Sequence, residues 1–103
     1  MNPKPQKQTS SENVELYEII IPLLHAMQSE FQELSKKTEA VLNKSKMKIV
    51  NRLLQSCRKI LASEASFDYL DLIDEDDVPQ NSDVVLMLSQ YVAAMNQFRL
   101  TYL

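Results

Sequence analysis

The chain of 103 residues contains no glycine, and that absence constrains its fold more than any residue that is present. A chain of this length ordinarily carries about seven glycines. Glycine supplies the positive φ values of tight hairpin turns, so a fold built on primed two-residue hairpins has no residue to make them. Loops that cradle phosphates need glycine so that the backbone can approach the anion. The sequence therefore excludes nucleotide-binding loops of those kinds and points away from β-hairpin architectures. What remains is an all-α fold, for which 45% hydrophobic residues supply enough apolar surface for one buried core.

The spacing of apolar residues says how the helices run. Thr9-Ser10-Ser11-Glu12 reads as a capping box with Thr9 as N-cap. From there Tyr17, Ile20, Leu24, Met27, Phe31, Leu34, Thr38 and Val41 recur three and four apart, which predicts a helix over about 12–43. Pro22 lies inside it, where a proline removes one backbone hydrogen bond, and the apolar phase continues across it, so a kink is expected there. Asn43-Lys44-Ser45 reads as a turn with Ser45 capping the next helix. Met47, Val50, Leu54, Cys57 and Leu61 predict a second helix over 46–64, with Ile49, Leu53 and Ile60 widening its stripe. A short helix is expected near 67–73. Ser82 is the expected cap of a last helix over 83–101, with the Asp83 carboxylate favoured at its positive end. The expectation is a small bundle of three main amphipathic helices and a short fourth element. Residues 1–9, polar and proline-bearing, read as a disordered arm before a single domain over 10–103.

Catalysis finds little support in these residues. His25 is the one histidine and Cys57 the one cysteine. Cys57 falls on an apolar stripe, where a thiol behaves as a small hydrophobe. No Glu-x-x-His pair and no alternating acidic loop with a central glycine occurs, so no metal and no cofactor is expected. A lone cysteine without a disulfide framework favours a reducing, cytoplasmic setting. No secretory signal and no membrane span is read.

Charge is unevenly placed. Lys36, Lys37, Lys44, Lys46, Lys48, Arg52, Arg58 and Lys59 are eight of the eleven cations, whereas 64–83 holds carboxylates and no cation. Basic and acidic segments are expected to face one another. A basic helix can also neutralise phosphates, so Lys44, Lys46, Lys48 and Arg52 are candidate contacts for nucleic acid or an acidic partner. A net charge of −3 and the lack of aromatics among the cations weigh against nucleic acid. The run Phe67-Asp68-Tyr69-Leu70-Asp71-Leu72-Ile73-Asp74 alternates large apolar residues with acids, as docking segments do. The first helix looks longer than two neighbours can cover, and an uncovered stripe finds a partner or a second copy. The sequence therefore reads as a non-enzymatic protein-interaction module, an adaptor, chaperone, inhibitor or accessory subunit. Its partner is a protein, a homodimer mate, or both, and no small-molecule substrate is expected. The candidate contacts are Tyr17, Ile20, Leu24, Met27, Phe31 and Leu34, and Phe67, Tyr69, Leu70, Asp71 and Asp74.

Overall fold

The computed structural model describes residues 8–37 and 41–103. They form helices α1 (Ser11–Ser35), α2 (Lys44–Ile60) and α3 (Asn81–Tyr102), with a 3-10 helix at Ala65–Tyr69 between α2 and α3. No strand occurs among the described residues, so the chain is an all-α bundle, as the missing glycine and the phased stripes predict.

The boundaries differ from expectation, each for a local reason. The N-cap of α1 is Ser10, whose side chain accepts from the Asn13 amide at 3.1 Å, while Thr9 Oγ1 accepts from the Asn13 side chain. Helix α1 then runs unbroken through Pro22 and stops at Ser35, not near 43. The Ser35 hydroxyl donates to the Gln32 carbonyl, and the chain tightens to three-residue bonds, Lys36 to Glu33 and Lys37 to Leu34. Such side-chain competition for a carbonyl weakens a final turn. Beyond it the apolar phase slips by one: Val41 is 74% exposed and Leu42 is buried. Thr38 lies outside the described residues, as do residues 1–7 of the expected arm.

The cap of α2 is not Ser45, which lies inside the helix, but Asn43. It adopts φ −125° as the N-cap of α2, and its Oδ1 accepts from the Lys46 amide at 2.9 Å. Helix α2 ends at Ile60 rather than 64, with Leu61 as its C-cap. The helix expected over 67–73 is the 3-10 helix that ends at Tyr69, and Leu70 is already extended. The N-cap of α3 is Gln80, two residues ahead of Ser82. The Gln80 amide donates to Asp83 Oδ2 at 2.9 Å.

Helix α1 packs on both α2 and α3, while α2 and α3 barely touch. The Tyr17 and Phe98 rings stack with centroids 5.7 Å apart, which joins the start of α1 to the end of α3. Leu34 and Ser35 at the end of α1, with Lys37, Val41 and Leu42 after it, share a cleft with 78–82, so α1 and α3 are antiparallel. The short connection over 36–43 makes α1 and α2 antiparallel as well.

The gap between α2 and α3 is filled by the segment 61–80, which runs back along the bundle as a strap. Asn51 of α2 holds it at its middle: Nδ2 donates to the Ile73 carbonyl and Oδ1 accepts from the Ile73 amide, both at 2.8 Å. Arg58 donates to the Leu70 and Phe67 carbonyls and lies 4.0 Å over the Phe67 ring. From α3, the Tyr91 hydroxyl donates to the Asp71 carbonyl at 2.8 Å, and Tyr102 donates to Glu64 at 2.7 Å. Leu70 and Ile73 thereby enter the core beside Leu24, Met47, Leu54, Leu88 and Met95. The strap has no ladder of its own, so side chains of both flanking helices satisfy its buried backbone.

Candidate interaction groove

Helices α1 and α2 frame an open groove of about 620 Å³, with no strap residue in its lining. Its floor is Ile20, Phe31, Val50 and Leu53, buried side chains of the core. Its lips are Leu23 of α1 and Ile49 of α2, which are 53% and 51% exposed. Met27 and Leu34, both half-buried, complete the α1 wall. Ile19, one turn before Leu23, is 61% exposed and extends the apolar strip. The polar margin is Glu30 on α1 and Lys46, Arg52 and Ser56 on α2.

The sequence-predicted contacts divide between core and surface. Tyr17 and Leu24 belong to the chain's own core away from the groove, so they are unavailable to a partner while the bundle is closed, whereas Ile20 and Phe31, equally buried, form the groove floor. The expectation of an uncovered first helix is corrected: with 25 residues against 22 in α3, α1 is matched in length by its neighbour. Met27 and Leu34 do reach the groove. Leu23, Ile49 and Leu53 form much of its wall and were not among the expected contacts. Their signal was in the sequence: Ile49 and Leu53 widen the α2 stripe, and Leu23 sits in the apolar run 19–24. In the strap, Leu70 is buried and Phe67 half-buried under Arg58, while Tyr69, 78% exposed, and the side chains of Asp71 and Asp74 face solvent.

Most cations of α2 lie away from the groove. Lys44, Lys48 and Lys59 are exposed on the side opposite the core, Arg52 is exposed at the groove margin, and Lys46 is half-buried at the groove. Facing of basic and acidic segments through ion pairs is not what holds the strap. Among the described residues the one ion pair is Lys36 with Glu33, at 3.2 Å, and Arg58 bonds to carbonyls instead.

Chemically reactive groups are dispersed. His25 is exposed on α1. Cys57 is fully buried, and loss of hydration pushes its thiol up to about 12. Burial likewise pushes the Tyr91 phenol up to about 12, against the opposing influence of the Arg58 cation. Among the described residues no three His, Cys, Asp or Glu side chains stand together as a metal site, and no helix is long and apolar enough to cross a membrane. Comparison with protein-family models, curated proteins and solved structures finds no match for this chain.

Proposed function

We propose that this chain is a non-enzymatic helical protein-interaction module whose binding surface is the α1/α2 groove. The observation that carries the reading is the groove itself: apolar along its floor, lipped by Leu23 and Ile49 at more than half exposure, and edged by charge. Isolated exposed apolar side chains are ordinary, but a contiguous apolar strip rimmed by polar residues marks an interaction site. A groove between two helices accepts a third amphipathic helix, whose apolar face enters while its flanks meet the rim.

The test is a library of displayed amphipathic helical peptides panned against the folded chain. Selected peptides should lose binding to Leu23→Asp and Ile49→Asp, whose exposed positions leave the fold intact, and should shift the backbone amide signals of Met27, Ile49 and Leu53. A selection that enriches nothing, or peptides that map to α3, would remove the groove from consideration.

A second reading, nucleic acid on α2, is favoured by the exposed row Lys44, Lys48, Arg52 and Lys59. It predicts oligonucleotide affinity that falls steeply with salt and is abolished when these cations become Glu. The first reading predicts no such affinity.

A further inference from the structure

We propose that the occupant of the groove is a second copy of this chain, in a two-fold dimer that sets α1 of each copy on α2 of the other. This rests on the groove being the binding surface and adds who fills it and in which orientation. The two helices that frame the groove carry opposite charge. Helix α1 carries Glu12, Glu15, Glu18, Glu30 and Glu33 and no Lys or Arg; α2 carries five Lys and Arg besides the strap-holding Arg58 and no acid. At the groove the α1 wall carries the acid Glu30 and the α2 wall the cations Lys46 and Arg52, yet among the described residues no ion pair joins them.

Two such faces can stack about a two-fold axis in only two simple ways. An axis across the helices sets α1 on α1 and α2 on α2, opposing an acidic helix to itself and a basic helix to itself. An axis along the groove preserves height and exchanges left for right, so the acidic wall of each copy lies over the basic wall of the other. Glu30 of one copy then meets Lys46 and Arg52 of the second, since all three line the groove. Because α1 and α2 run antiparallel, every neighbouring pair in the resulting four-helix layer is antiparallel, as in ordinary bundles. The apolar strips, Ile19, Leu23 and Ile49 in particular, close on one another at the centre. An isologous contact of this kind needs one self-complementary patch and closes on itself. The face from Ile20 to Leu34 spans about 21 Å by about 20 Å across two helices, at the low end of specific interfaces. Association is therefore expected to be weak and concentration-dependent.

Sedimentation of the full chain over a roughly hundredfold concentration range should show a reversible monomer–dimer equilibrium. Glu30→Lys alone and the pair Lys46→Glu with Arg52→Glu should each weaken it about tenfold or more, since both faces of the dimer then oppose like charges. Mixing the two variants should restore dimers, because the charges match again at both contacts; circular dichroism confirms that each variant is folded. A wild-type chain that stays monomeric overturns the proposal, as does a dimer indifferent to these changes or a mixture that fails to pair. A monomer that still selects helical peptides into the groove keeps the binding surface and assigns it to another protein. A monomer that selects none sinks both. Salt-sensitive oligonucleotide binding by a monomer assigns the basic wall to nucleic acid.

Discussion

Removing the Asn51 side chain should do more damage than any other single polar change in this chain. Both amide atoms of Asn51 are committed to the backbone of Ile73 at 2.8 Å, in a site where the residue is 8% exposed. Asn51→Ala leaves the Ile73 amide and carbonyl without partners, at about 1–3 kcal/mol for each buried group, so about 2–6 kcal/mol together. A domain of this size has about 5–15 kcal/mol in total. At about 4–8 °C per kcal/mol, a loss of 3 kcal/mol lowers Tm by about 12–24 °C, which a thermal melt followed at 222 nm resolves easily. Asn51→Asp is the sharper probe, because it keeps the shape and removes the donor. At neutral pH its carboxylate faces the Ile73 carbonyl and is destabilising. Protonated, it can accept from the Ile73 amide and donate to the Ile73 carbonyl, which restores both bonds. The folded-state pKa of that Asp is raised, so its deficit is full above that pKa and shrinks as pH falls; Asn51→Ala shows no such recovery. If the strap releases before the helices melt, the loss appears as fast amide exchange over 70–77 with α1 and α3 still protected. An Asn51→Ala chain within about 1 kcal/mol of wild type, with slow exchange at Ile73, would refute the reasoning.

Two further outcomes follow from the same physics. Pro22→Ala should stabilise the chain by about 1–3 kcal/mol in urea unfolding, because α1 passes through Pro22 without a break and regains a backbone bond to Glu18; a loss of stability would mean that the proline geometry is needed for packing. Cys57 and Tyr91 have folded-state pKa values raised to about 12 by burial, so the folded chain binds more protons than the unfolded one in that window. Their stabilisation is complete below about pH 9 and is lost as pH rises toward 12, which alkaline melts of wild type and Cys57→Ala should show, the variant losing less.

The helices were legible because their stripes are strict. Val84, Leu88, Tyr91, Met95 and Phe98 stand at three/four spacing and are all buried, and periodicity needs no tertiary information to be read. Helix ends were less legible, since Ser10, Asn43 and Gln80 each cap a helix in place of a plausible neighbour. The strap could not be read as a helix or a strand from its pattern, because it is neither. Its backbone partners, Asn51, Arg58 and Tyr91, lie 22, 12 and 20 residues away, and a polar residue on a helix gives no sign of such a partner. The groove sits between these cases. Leu23 and Ile49 were visible as surplus apolar residues beside a full stripe, but their exposure depends on how α1 and α2 pack on each other.

The run Asp74-Glu75-Asp76-Asp77 beside a basic helix invites an electrostatic account of the strap, and salt decides it. If α2's cations held the acids, raising NaCl from about 0.05 M to 1 M, which shortens the screening length to about 3 Å, would lower Tm. The geometry predicts otherwise. Arg58 and Asn51 grip carbonyls and an amide, the Asp71 and Asp74 carboxylates face water, and the Asp74 side chain caps its own turn through the Asp76 amide. What salt screens in the monomer is mainly repulsion among neighbouring carboxylates, so Tm should hold or rise by about a degree or two. A fall of more than about 5 °C would show that pairing with α2 carries the strap. A flat or rising Tm leaves the outer charges of α2 without an internal task, which is the condition a charged partner on that face requires.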